Sequence, residues 1–146
     1  MSVYYEKPRL KREIIMKMLE AACKKAEELN IKVNVAIMDE GANLKGFVRM
    51  DDAPLLSVGI AQNKAYTAAA FGRATADWYP MIQKEPALMH GIVHTDRLVI
   101  FGGGLPLYIG EHLVGGIGVS GGSADEDVAC AEAAVRVLEQ ELGKNS

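Results

Sequence analysis

Between Phe101 and Asp127 the chain reads FGGGLPLYIGEHLVGGIGVSGGSADED, and no other stretch limits the possible folds as tightly. The cluster Gly102-Gly103-Gly104, the pair Gly115-Gly116 and the pair Gly121-Gly122 fall within it. Residues without a Cβ reach positive φ and let another backbone, or a ligand, come into contact with the main chain. The last pair runs into Ser123-Ala124-Asp125-Glu126, which has the S-x-x-E spacing of a capping box, with Ser123 as N-cap and Glu126 reaching back. A glycine turn that feeds a helix N-terminus offers free N–H groups and the positive end of the helix dipole, a combination that binds anions. The competing reading is that the glycines only make tight turns and the acidic residues only cap the helix.

A chain of 146 residues is expected to form one domain, spanning 1–146, that buries about two thirds of its unfolded surface. A hydrophobic share of 49% with 24% charged residues places it among globular proteins rather than disordered chains. The net charge of −3 argues against a nucleic-acid partner, because such domains need cationic surface to replace phosphate counterions. Cys23 and Cys130 lie in predicted helices without C-x-x-C spacing, which points to neither a zinc site nor a disulfide framework and suits a reducing compartment. The N-terminus has no apolar core of a signal peptide and no run is long enough to span a membrane, so the expected location is cytoplasmic.

Apolar residues recur at three- and four-residue steps from Pro8 to Asn30, which predicts an amphipathic helix with Pro8 in its first turn and Asn30 as a left-handed terminator. Cys23 sits beside that stripe and reads as a small core residue rather than a metal ligand. Ile31 to Asp39 and Leu44 to Met50 predict an antiparallel hairpin. Arg49 and Asp51 are then poised where the second strand runs into the Asp51-Asp52-Ala53-Pro54 helix start. The next helix, Pro54 to Gly72, is rich in small residues that permit close packing, against this chain or another subunit. Lys64 and Arg73 flank Thr67 on it, and Lys64 is a candidate to snorkel to water. A short helix capped by Thr75 carries Trp78, whose aromatic neighbourhood reads as packing rather than a cofactor platform.

Lys84 to Arg97 is expected to be a mobile loop or a single turn. If it were helical, His90 and His94 would share a face and could make a two-point metal or haem contact, although no Glu completes an H-E-x-x-H pattern. Leu98 to Phe101, Pro106 to Ile109 and Leu113 to Ser120 predict three further strands, and Ala124 to Leu142 a last helix. The Gly-Lys-Asn-Ser tail is expected to fray.

Several long signatures occur together: D-x-G-x-x-L at Asp39 to Leu44, RMD-x-AP at Arg49 to Pro54, KA-x-TA at Lys64 to Ala68, GG-x-P at Gly103 to Pro106 and G-x-GVSGG at Gly116 to Gly122. In this order they resemble the GlcG/HbpS family of haem-degrading domains, also found as the C-terminal domain of PduO proteins, over nearly the whole chain. The resemblance implies an α/β (α+β) profilin-like fold, a five-stranded antiparallel sheet with packed helices, assembled into homo-oligomers. It further implies that some relatives bind haem or iron, while others lie near glycolate or diol metabolism. The chain departs from the common pattern at Glu40-Gly41-Ala42 and in the longer His94-Thr95-Asp96-Arg97 approach to the glycine loop.

Two functions follow as expectations. The first is haem binding with possible assistance to haem degradation, for which Arg49, Lys64 and Arg73 would hold propionates and His90, His94, His112 or Cys23 would ligate iron. The second is an enzyme or sensor for an organic acid or phosphate-bearing small molecule. Its N–H donors would come from Gly102-Gly103-Gly104 and Gly121-Gly122-Ser123, its counter-charge from Arg49 or Lys64, and its base from Asp51 or Asp127. Either way the expected pocket joins Arg49, Lys64 and Thr67 to the backbone around Gly103, Gly104, Ser120 and Gly121 at one edge of the sheet.

Overall fold

The structure, a computed structural model, describes residues 1–144. Helix α1 spans Arg12–Glu28 and begins four residues later than the apolar spacing predicts, because Lys11 before it is still extended, at φ −80° and ψ 158°. Pro8 therefore precedes the helix. At the other end Asn30 takes φ 56°, as the terminator reading requires, and the Ile31 N–H returns to the Ala26 carbonyl at 2.9 Å.

Strands β1 (Asn34–Met38), β2 (Leu44–Arg49), β3 (Gly104–Ile109) and β4 (His112–Ser120) form one antiparallel sheet in the order β2-β1-β4-β3. All five residues of β1 are buried, since both faces of the sheet are covered. On one face lie α1 and the last helix, α5 (Ala124–Lys144), packed over Val33, Val35, Ile37, Ile117 and Val119. On the other lies α2 (Leu56–Phe71), whose Ala61, Ala65 and Ala69 meet Ala36 and Met38. The expected mixed α/β class is thus observed, with helices on an antiparallel sheet.

The sheet has four strands among the described residues, not five. Leu98 to Phe101 does not pair, because its anchor is a helix: the Val99 N–H donates to Thr67 Oγ1 on α2 at 3.0 Å, and that hydroxyl donates to the Arg97 carbonyl at 2.9 Å. The small residues of α2 are used within the chain. A Cβ on Gly118 would strike the Ala61 carbonyl and the Ala65 nitrogen, and one on Gly116 would strike the Ala65 carbonyl and the Ala69 nitrogen. Helix backbone thus rests directly on strand backbone, which only glycine permits.

After Gly72, at φ 78°, a 3-10 turn (Thr75–Asp77) leads into α3 (Trp78–Ile82). Thr75 does not cap that helix. Its hydroxyl accepts the Gly104 N–H at 2.9 Å and so ties the turn to the start of β3. The stretch expected to be a mobile loop contains α4 (Pro86–Ile92), started by Pro86. His90 lies in its last turn and His94 beyond its end, so the two histidines do not share a helix face. The capping box forms as read: the Ser123 N–H donates to Glu126 Oε1 at 2.9 Å, and the Glu126 N–H donates to Ser123 Oγ at 3.2 Å. Gly143 and Lys144 of the expected frayed tail instead continue α5 as helix, and its last two residues lie outside the described ones. Among the described residues no helix is long and apolar enough to cross a membrane.

Candidate functional site

Lys64 does not snorkel. Its side chain is 1% exposed, and Nζ donates to the Val119 carbonyl at 2.8 Å and to Asp127 Oδ2 at 3.1 Å. The Phe101 ring lies 5.1 Å from Nζ and closes the outer side. Asp127, 2% exposed, accepts the Gly122 N–H at 2.9 Å through its second oxygen. Burial pushes the Lys64 ammonium below its ordinary range, against the pull of the neighbouring Asp127 charge. Burial likewise pushes the Asp127 carboxyl up, opposed by Lys64 and by the N–H groups of Gly122 and Gly121.

The glycine-rich helix start therefore does hold an anion, and the anion is the chain's own Asp127. Of the N–H groups expected to face a ligand, that of Gly122 is taken by Asp127 and that of Ser123 by Glu126. The other glycine loop is engaged in the same way. Gly103, at φ 131°, would carry its Cβ 2.6 Å from Lys64 Nζ, and its carbonyl accepts the Val119 N–H at 2.9 Å. The Gly104 N–H is held by Thr75. Lys64, Asp127, Gly103 and Gly122 form one buried node joining α2, β4, α5 and the loop before β3.

Arg49 is not part of that node. It sits on the edge strand β2 and is separated in register from Ser120 by Asn34, which pairs with both. Arg49, Asp51, Asp52, Ala53 and Leu55 border an open recess of about 520 Å³. One cation there faces two carboxylates, of which Asp52 also lies 3.7 Å from the Lys32 ammonium. Arg73 is exposed beyond the end of α2. Asn34, which the sequence reading passed over, is fully buried and donates from Nδ2 to the Pro54 carbonyl at 3.0 Å, which fixes the start of α2 against the sheet.

Thr67 belongs to a third place. Together with Tyr66, Ala70 and Phe71 of α2, Trp78 of α3, Ile92 of α4 and Thr95, Asp96 and Leu98 beyond it, it borders a slot of about 300 Å³. The Phe71 and Trp78 rings are 4.5 Å apart between centroids and tilted by 47°. The Arg97 guanidinium lies 3.8 Å from the centroid of the Tyr66 ring, a cation-π contact with one of the lining residues. Trp78 is 4% exposed, and its indole N–H has no acceptor among the described residues. Arg97 was legible only through the longer His94–Arg97 approach, while Thr67 was already among the expected pocket residues.

The metal candidates separate. His90, His94 and His112 are exposed, while Cys23 is buried in the core with Cys130. Among the described residues no group of three or more His, Cys, Asp or Glu side chains is placed to hold a metal ion. Burial and the charges of Glu20 and Glu27 push the Cys23 thiol up to about 11; burial first, then Asp127, Cys23 and Glu126, against Lys25, pushes Cys130 up to about 11. A thiol holds its proton at neutral pH under these conditions and is a poor ligand or nucleophile. Both thiols in the native protein are expected to react with Ellman's reagent at pH 8 only as fast as the chain opens, and at once in denaturant. Because both values lie above the ordinary 9.0, their contribution to stability is complete below pH 9 and is lost as the pH rises towards 11. Urea titrations across that range are expected to show a decline that Cys23→Ala and Cys130→Ala flatten.

An α/β domain with helices on both faces of a short antiparallel sheet, a buried lysine–aspartate node and an aromatic slot describes the class of this protein. The family is more specific: a model described as haem degrading protein HbpS-like matches residues 10–136, and the chain belongs to that family. It is 40% identical over 121 residues to a 15.0 kDa protein of the dhaT-dhaS intergenic region of Citrobacter freundii, covering 82% of this chain and 84% of that one. The crystal structure of protein ORFY of Klebsiella pneumoniae superposes with a TM-score of 0.89 at 32% identity, covering 95% of this chain and 97% of that one. The crystal structure of a PduOC:heme complex does so with a TM-score of 0.83 at 32% identity, covering 89% of this chain and 95% of that one.

Proposed function

We propose that this protein binds haem or a closely related flat small ligand, and that the slot between α2, α3 and the stretch after α4 takes one edge of it. The observation that carries the reading is the slot itself, lined by the aromatic Tyr66, Phe71 and Trp78 and the aliphatic Ile92 and Leu98, with Arg97 over the Tyr66 ring. Haem requires an apolar surface, an axial ligand and cations for its propionates. Tyr66, Phe71 and Trp78 with Ile92 and Leu98 provide the first, and Arg97 provides a cation. His90 and His94 flank Ile92 in sequence and are the residues of this chain that would offer an axial nitrogen. Cys23, in the core with its proton held, would not. The volume is at the low end for a small-molecule site, so the slot takes an edge of the macrocycle and leaves the rest outside.

Bound haem would supply iron redox chemistry, whose character depends on the axial ligand and the polarity around it. This chain's own part is to hold the ring edge away from water and to orient it through Arg97. Assistance in haem degradation, assembly into homo-oligomers and a cytoplasmic location belong to the same proposal. The exposed Leu55, Leu56 and Phe71 supply apolar surface for contact between copies.

The organic-acid reading is weaker on three counts. Its N–H donors at the helix start are occupied, Lys64 is neutralised by Asp127, and Arg49 shares its recess with two carboxylates. Titration of the purified protein with hemin tests the choice. The expected result is a saturable Soret shift that is altered by His90→Ala or by His94→Ala. An absorbance that rises without saturation, or a spectrum unmoved by either change, would overturn the proposal.

A further inference from the structure

Helix α2 lies at the surface of the fold and has the composition of a buried helix. Its sequence, LSVGIAQNKAYTAAAF, carries one charge, Lys64, and that side chain is buried against Asp127. The outer faces of α1 and α5 differ: Lys17, Glu20 and Lys24 stand exposed on one, and Glu132, Arg136 and Glu139 on the other. A helix that is apolar on every side is ordinarily covered on every side. Along the side of α2 turned away from the sheet, Leu56, Gly59, Asn63, Tyr66 and Ala70 follow at alternating steps of three and four, and none of them is buried. That spacing is the seam through which two helices pack side by side at a small crossing angle. Leu55 and Leu56 are 72% and 81% exposed at one end of it, and Phe71 is 53% exposed at the other.

The stripe is complementary to itself. Asn63 stands at its middle, so a two-fold axis there sets α2 antiparallel against the α2 of a second copy. Gly59 of each copy then faces Tyr66 of the other, a gap opposite a ring, while Leu55 and Leu56 face Phe71 and Ala70. Within one chain Gly59 has no steric reason: it is exposed in mid-helix, a Cβ there would meet nothing within 4 Å, and glycine weakens a helix relative to alanine. The asparagine amide on the axis can both donate to and accept from its own copy. The charges agree as well. Asp51 and Asp52 precede the helix and Arg73 follows it; all three are exposed, and the one ion partner among them is Lys32, 3.7 Å from Asp52. Antiparallel pairing brings the acidic end of each helix to the Arg73 of the other, whereas parallel pairing would set like charges together.

We infer that two copies of this chain pair through α2, antiparallel about Asn63, with Arg73 of each copy set against Asp51 and Asp52 of the other. This goes beyond the contact between copies proposed above by fixing its geometry and its charge pairing. It also bears on the slot, and that part rests on the slot being the binding site. Ala70 and Phe71 line the slot, and they are the residues that face Leu56 and Leu55 of the second copy. The second copy's leucines therefore stand at the mouth of the slot and cover a part of the ligand that one chain leaves outside.

Cysteine cross-linking reads the axis and the direction of the pair. Asn63→Cys is expected to give a linked pair on a non-reducing gel after mild oxidation, while Gln140→Cys on the exposed side of α5 is not; Cys23 and Cys130 are buried and stay silent. Leu56→Cys is expected to link to Ala70→Cys when the two variants are mixed, and not to itself. Sedimentation at concentrations up to about 100 µM is expected to give twice the 15.7 kDa mass of the chain or an even multiple of it. Leu56→Glu, a change at an exposed position, is expected to keep the circular dichroism spectrum and weaken the pair at least about 100-fold. Arg73→Asp is expected to weaken it about 10-fold, with Asp51→Arg and Asp52→Arg in the same chain restoring it. Leu56→Glu also supplies the single-copy background in which Gly59→Ala is neutral to the fold. A chain that stays monomeric throughout, no link at Asn63→Cys, or Leu56→Cys linking to itself as readily as to Ala70→Cys, overturns the inference. If a monomeric chain gives the saturable Soret shift with hemin, this inference fails and haem binding stands. If the pair links as expected while hemin does not bind, the pairing stands and the haem reading fails. Equal hemin affinity in the paired protein and in Leu56→Glu overturns the part given to the second copy's leucines.

Discussion

Gly118→Ala is expected to lower the stability of this protein by at least about 3 kcal/mol and its melting temperature by on the order of 10 °C. The new Cβ would meet the Ala61 carbonyl and the Ala65 nitrogen, both helix backbone that cannot rotate aside. Relief requires moving α2 as a body away from β4, which would open the seam beneath Ala61, Ala65 and Ala69 and disturb the packing around Lys64. Gly59→Ala is the matched control. That glycine is exposed on the same helix with nothing within 4 Å of an added Cβ, so the change is expected to be neutral or to stabilise by up to about 1 kcal/mol. Gly46→Ala should fall between them, because there the obstacles are side-chain methyls of Ile15 and Leu19 rather than helix backbone. Urea unfolding of the three variants side by side checks the ranking. Gly118→Ala as mild as Gly46→Ala would show that α2 yields easily.

Lys64→Ala is expected to cost about 3–5 kcal/mol, because it leaves the Asp127 carboxylate buried without its counter-charge. Asp127→Asn leaves the ammonium in the same position, although the amide oxygen still accepts the Gly122 N–H. The double variant Lys64→Met with Asp127→Asn is expected to cost clearly less than the sum of the two single changes, since no charge then remains to be buried alone. The cycle is read from urea unfolding midpoints and slopes at neutral pH. Additive costs would mean that the two groups act through their packing rather than through each other.

These two sites show which parts of the molecule could be read along the chain. The Ser123–Glu126 capping box, the left-handed Asn30 and the Asp39 to Leu44 hairpin were all legible, because each is settled by residues a few positions apart. In the hairpin, for instance, Asp39 Oδ1 accepts the N–H groups of Gly41 and Asn43 at 2.9 and 3.0 Å. Lys64 was misread as reaching water because its partner lies 63 residues away, and nothing local distinguishes a lysine that will snorkel from one that will be buried. Leu98 to Phe101 has the residue types of a strand. Its Val99 N–H was claimed by Thr67 from across the fold, and a β-propensity cannot anticipate that competition. Trp78 was read as packing, and it does pack on Phe71.

The sequence by itself determined the family, the helix-on-sheet class and the places where backbone must touch backbone, because glycine spacing, capping pairs and signature order are properties of neighbours along the chain. The tertiary structure decided what those glycines approach. Around Gly103 and Gly122 the partner is not a ligand but the chain's own Lys64 and Asp127, brought together when α2 and α5 cover opposite faces of one sheet. It also brought Tyr66, Phe71 and Trp78 to one slot, with Arg97 over the Tyr66 ring. The physical reason is common to both outcomes: a buried charge or donor must be satisfied by whatever the fold places within a few ångströms, and sequence distance does not report that separation.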